Sequence, residues 1–186
     1  MRINLFWRKG LFVLAFLLSM NVLAKDDAPY LHTGLPVCFI SVDIPTGGIP
    51  RYEYIPATIC MVEETDTLLF PVNVSIAGRG TSTWGYPKKP YKMKFDQKVS
   101  LLDMPEGKNF VLLANYCDKS LMRTSIGLTV GRTIQQPWVP EDRFVELVVN
   151  GEHLGTYQLA ESIKVGKNRV QLNDTGFMIE YDTYYY

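Results

Sequence analysis

Residues 143–159 read RFVELVVNGEHLGTYQL, two runs rich in β-branched and aromatic residues on either side of Asn150-Gly151. Asn-Gly supplies the two positive-φ positions of a type I′ turn, whose twist matches that of the strands it joins. The stretch therefore predicts a hairpin of Arg143–Val149 with Glu152–Leu159. Toward the N-terminus, Phe110–Ala114 is an apolar run suited to a buried strand. Tyr91–Asp96 alternates, with Tyr91, Met93 and Phe95 on one face and Lys92, Lys94 and Asp96 on the other. Val72, Val74 and Ile76 alternate in the same way, and Ala57–Val62 and Leu35–Val42 are further strand-like runs. On the C-terminal side Phe177–Tyr181 reads as a last strand. One segment has a helical period: Asp118 is a good N-cap residue, and Met122, Ile126, Val130 and Ile134 follow at i+4 steps until Pro137 and Pro140 end the pattern. Eight or so strands and one principal helix predict an α+β fold of mainly antiparallel sheet.

The 186 residues are 47% hydrophobic and 20% charged, enough for one globular core and too apolar for a disordered chain. Nineteen basic and 19 acidic side chains give a net charge of +0, which argues against a nucleic-acid partner bound by phosphate neutralisation. The N-terminus has a positive start in Arg2, Arg8 and Lys9, an apolar run from Leu11 to Leu18, and small residues at Val22 and Ala24. These are the parts of a secretory signal peptide cleaved after Ala24. The alternative, a membrane anchor, needs roughly 20 apolar residues, longer than this run. The expected organisation is a signal peptide at 1–24, a flexible leader at 25–35 and one folded unit at 36–186. The expected product is secreted or extracytoplasmic, with no membrane span after cleavage.

Several chemistries lack material. His32 and His153 are the only histidines, too few for a His-based zinc site or a Ser-His-Asp triad, and His153 reads as a solvated strand residue. Cys38, Cys60 and Cys117 have no metal-ligand spacing. Cys38 and Cys60 either pair, as export permits, or remain buried thiols. Ser82 fails the nucleophile-elbow pattern because position 84 is Trp, and no Walker-type loop occurs. No metal ligands and no catalytic residue are assigned from the chain.

The loop at 78–90, GRGTSTWGYPKKP, is the informative stretch. Its glycines let backbone N–H groups approach an anion, and Arg79 offers a bidentate donor. Lys88, Lys89, Lys92 and Lys94 follow at once. The plainer reading is a tight loop pinned by Trp84 beside a solvated lysine face.

Four blocks in register resemble the CotH kinase family, the spore-coat protein H type of atypical kinase. They are Arg79 to Phe95 (RGTSTWGYPKKPYKMKF), Leu112 to Arg123 (LLANYCDKSLMR), Arg143 to Glu152 with Gly155 to Ser162 (RFVELVVNGE, GTYQLAES), and Val165 to Arg169 (VGKNR). The resemblance runs from about residue 36 to the end. It implies a secreted or bacterial-surface protein with a kinase-like two-lobed fold, in a family some of whose members phosphorylate proteins with ATP and a divalent metal (Mg or Mn). It makes the 36–186 unit resemble the N-terminal lobe, with Arg79, Lys92 and Lys94 as candidate phosphate contacts and Glu161 as a candidate ion-pair partner for a lysine. The chain departs from the family pattern at Thr81 and Thr124, where Asn is usual. The family continues beyond the strand matching Gly176–Asp182 into a C-terminal lobe that carries the metal-binding and hydroxyl-orienting acids. On this reading that lobe is the missing partner, the substrate is an extracellular protein, and the chain alone is inactive and holds ATP weakly. The alternative is a non-catalytic extracellular module that binds glycan or protein.

Overall fold

A computed structural model describes residue 30, residues 33–63 and residues 66–179. The expected signal peptide, most of the leader and the tyrosine-rich C-terminus lie outside the described residues. The described residues form seven strands: β1 Val37–Ser41, β2 Ile55–Glu63, β3 Asp66–Gly78, β4 Tyr91–Val99, β5 Gly107–Leu113, β6 Asp142–Val149 and β7 Glu152–Glu161. They close into a barrel in the order β1-β2-β3-β4-β5-β7-β6, with β6 returning to β1. Every pair is antiparallel except β1 with β6, where Val37 faces Glu146 and Ile40 faces Val149. A closed ring with an odd number of strands cannot alternate direction throughout, so one parallel pair is required.

This corrects the expected fold. The protein is mostly β, a closed seven-stranded barrel, and not the α+β N-terminal lobe of a kinase-like fold. The reason lies in the helix. The helix α1, Arg123–Thr133, buries only Gly131, so it forms no layer of the core. The core is instead the barrel lumen, filled by alternate residues of every strand: Cys38 and Ile40, Ile59 and Met61, Val74 and Ile76, Tyr91, Met93 and Phe95, Phe110 and Leu112, Val145, Leu147 and Val149, Tyr157 and Leu159. The period-2 alternation read from the sequence is thus the inside-outside alternation of a barrel. A second, smaller cluster of Tyr30, Val37, Phe39, Cys60, Val62 and Val148 covers the outer face of β1, β2 and β6.

The hairpin predicted at Asn150-Gly151 is present, with φ of 49° and 80° at the two turn residues. Phe177–Ile179, expected to open a last strand, form none, and the rest of that segment lies outside the described residues. Cys38 and Cys60 are free thiols. Cys60 is opposite Phe39 and Cys38 opposite Met61, so the two sulfurs point to opposite faces of the sheet and no disulfide can join them. Among the described residues, no helix is long and apolar enough to cross a membrane.

Candidate functional site

The loop between β3 and β4 folds back on itself. Arg79 N donates to Pro90 O at 3.1 Å, continuing the pairing of Gly78 with Tyr91 by one step. Within the loop, Ser82–Gly85 is a single 3₁₀ turn that turns Trp84 inward. The indole lies against the bare α-carbon of Gly78, where any Cβ would collide with it, and meets Tyr91 edge-on at 6.4 Å. Lys89 Nζ donates to Trp84 O at 2.6 Å, and the Tyr157 hydroxyl donates to Lys89 O at 2.9 Å. The loop is therefore pinned by its tryptophan to one rim of the barrel.

That pinning holds Arg79 over a cleft of about 230 Å³ between the loop and the segment after β5, with Lys88, Tyr86, Asn115, Tyr116 and Cys117 among its walls. Among the described residues the Arg79 guanidinium has no hydrogen bond and no ion pair, although burial pushes its pKa below the ordinary value. A partly desolvated guanidinium keeps its donors available to a bidentate acceptor. Burial lowers the Lys88 pKa too, partly offset by the Glu146 carboxylate, but its ammonium is engaged: it donates to Thr156 O and lies 4.4 Å over the Tyr157 ring. Tyr86 and Tyr116 stack at 5.3 Å at the mouth.

The far wall is held by polar contacts under α1. Asn115, at φ 46°, donates from Nδ2 to Leu121 O at 3.2 Å and to Gln158 Oε1 at 2.8 Å. Gln158 Nε2 donates to Asp142 Oδ2 at 2.9 Å, and Arg132 Nη2 donates to Asp142 Oδ1 at 3.2 Å. Asp118 accepts from Arg123 N at 2.8 Å and from Ser120 N and Oγ at 3.1 and 2.7 Å, contacts that hold its pKa below the usual carboxylate range. Its oxygens are committed to the start of α1, five residues on from where the sequence placed the N-cap, so it is no free base.

The other expected site residues lie elsewhere. Lys92 and Lys94 do share one face of β4, opposite Tyr91, Met93 and Phe95, and that face is the outside of the barrel. They stand about 7 and 13 Å along the strand from the Pro90 position beside Arg79, outside the cleft walls. Lys92 Nζ lies 4.9 Å over the Tyr54 ring, and Lys94 is exposed. Glu161 is 3% exposed at the opposite end of the barrel, across from Phe110. Its partner is Arg169, not a lysine, and its Oε2 also accepts from Glu141 N at 3.0 Å. Burial raises the Glu161 pKa, and the hydrogen bond from Glu141 and the Arg169 charge oppose that. Sequence reasoning missed Lys88 and Asn115 as cleft residues. Lys88 was read only as one of the lysines that follow Arg79, and no spacing set it apart from Lys89, Lys92 and Lys94. Among the described residues no three His, Cys, Asp or Glu side chains converge as a metal site.

A family model described as CotH kinase protein matches residues 76–186, more than half of the chain. The match starts near the end of β3 and takes in the Arg79 loop, the cleft, α1 and the β6–β7 hairpin. No curated protein matches the chain.

Proposed function

Because the chain belongs to the CotH kinase family, we propose that the Arg79 cleft receives the phosphates of ATP in a secreted phosphotransferase that acts on extracellular protein. The observation that carries this reading is the uncompensated Arg79 guanidinium facing the cleft beside Lys88. The cleft volume of about 230 Å³ is below the ~300–1,000 Å³ of a whole small-ligand site, which suits the phosphate end and leaves the nucleoside outside. Arg79 and Lys88 would neutralise phosphate oxygens, and Lys92 and Lys94 would extend the positive field along the outer wall. Glu161 would act at a distance, by holding Arg169. Phosphoryl transfer also requires carboxylates for Mg or Mn and a base that orients the acceptor hydroxyl. The described residues do not fit a metal site. The described residues are assigned phosphate binding, and acidic residues outside them would hold the metal and orient the acceptor hydroxyl.

The test is ATP titration of the purified chain by calorimetry at low salt. Weak, saturable binding is expected. Arg79→Gln and Lys88→Gln should each lower affinity at least fivefold, whereas Lys94→Gln should change it less than twofold. Equal affinity for Arg79→Gln and the parent would remove the assignment. The stacked Tyr86 and Tyr116 favour a second reading, a platform for a sugar ring. Oligosaccharide binding lost in Tyr86→Ala, with no ATP binding in the parent, would put that reading in its place.

A further inference from the structure

The opposite rim of the barrel carries a second concave surface, of about 180 Å³, between the β4–β5 turn and the segment after β7. Its walls hold Lys98, Lys108, Lys164, Lys167 and Arg169 against one carboxylate, Glu106. The lysines come from two segments remote in sequence, the β4–β5 hairpin and residues 164–167, so their convergence is made by the fold and not by a local run. The nine residues of β4 separate this surface from the Arg79 cleft by about 25 Å.

Three observations show that the surface is built. First, the segment at 164–170 is closed by its own backbone: Gly166 N donates to Val170 O at 3.0 Å, Val170 N to Lys164 O at 3.1 Å and Arg169 N to Gly166 O at 3.1 Å. The last of these makes a turn that leaves the N–H groups of Lys167 and Asn168 with no partner among the described residues. Second, Arg169 is 7% exposed, and its Nη2 is buried with no hydrogen-bond partner. Third, that nitrogen lies against Gly107, where any Cβ would collide with it, so the floor depends on a glycine at that position. Glu161 neutralises Arg169 from beneath. Nothing comparable serves the lysines. Lys108 Nζ donates to Asp96 O at 2.5 Å, and none of the four lysines has an ion pair among the described residues.

We propose that this cleft binds a phosphoryl group, held by the ammonium groups of Lys98, Lys164 and Lys167 and by the free N–H groups of Lys167 and Asn168. Several ammonium groups lining one concavity attract an oxyanion in concert. Lysines act as point charges toward phosphate, and successive free N–H groups in a turn form a concavity for anions. The phosphoryl group can come from a free anion or from a phosphorylated peptide, and the chemistry is shared.

The test uses the Arg79→Gln/Lys88→Gln chain, which removes both cations of the first cleft, so that a failure of either assignment is read separately. Pyrophosphate and a phosphoserine peptide are titrated at 100 mM NaCl. Saturable binding is expected, with at least a tenfold loss in Lys164→Gln/Lys167→Gln and a further loss on adding Lys98→Gln. These side chains are exposed, so Tm should not move. Tighter binding of the peptide assigns a peptide-borne group, and tighter binding of pyrophosphate assigns a free anion. The control Arg51→Gln/Lys119→Gln removes the same charge elsewhere. Absence of binding by both probes, or an equal loss in that control, would overturn the site.

Discussion

Cys38 and Cys60 illustrate how far a single position decides chemistry. Both are fully buried, one inside the barrel and one beneath the outer cluster. Burial pushes the Cys60 thiol up to about 12 and the Cys38 thiol higher still, whereas Cys117 is exposed. One thiol of the three should therefore react with a disulfide reagent in the native protein, and all three in denaturant. The same shift sets a pH dependence. A thiol that stays protonated in the folded state but ionises in the unfolded one stabilises the unfolded state above its ordinary pKa of 9.0. Stability should be complete below pH 9 and fall as pH rises toward 12, by about 2 kcal/mol for the two thiols between pH 9 and 10. Tyr91 and Tyr157, also raised by burial, add in the same direction. Urea melts at pH 8 and 10 check the sign. At this scale the sequence was legible for the loop around Arg79, whose glycines and Trp84 mark the tight, pinned turn that the structure has. It was not legible for Glu161, because its partner Arg169 is set by the barrel's end and not by any spacing.

The helix α1 shows what periodicity can and cannot say about an element. Met122, Ile126, Val130 and Ile134 do share a face, but they are 51%, 55%, 52% and 63% exposed. Spacing at i+4 reports which residues face together and not which way they face. The face turned to the barrel carries Gly131, whose added Cβ would meet Val139 Cγ2 at 3.1 Å, and Arg132, bonded to Pro140 O and Asp142. Polar contacts hold this helix where an apolar stripe was expected to. Ile126→Gln should therefore change unfolding free energy by no more than about 0.5 kcal/mol. Asp142→Ala, which leaves the buried Gln158 amide short of an acceptor, should cost about 1–3 kcal/mol. Phe110→Ala, in the lumen, should cost about 3–5 kcal/mol. Chemical denaturation of the three variants ranks them, and a large loss for Ile126→Gln would contradict the exposed stripe. The strands were more legible than the helix because inside-outside alternation survives closure of the sheet.

At the scale of the whole molecule, closure is the property the sequence concealed. Each strand is visible as a local pattern, but the pairing of β1 with β6 joins residues more than 100 apart and leaves no local mark. Asn150 locks that seam. Its N donates to Ile40 O at 2.9 Å, its Nδ2 to Ile44 O at 2.8 Å, and its Oδ1 accepts from Val42 N at 2.9 Å. Asn150→Ala removes both side-chain bonds and places an Ala at φ 49°, at a cost of about 2–3 kcal/mol. Asn150→Gly keeps the turn and loses only the bonds, so it should be the milder of the two in urea. The seam also sets a clock for the newborn chain. Ile40 leaves the ribosome 109 residues ahead of its partner Val149, about 5–20 s at usual rates of synthesis. Throughout that interval one edge of β1 has no neighbour to pair with, and it can accept the β6 of another molecule instead. The barrel should therefore fold slowly for its size, and its yield on refolding should drop as protein concentration rises.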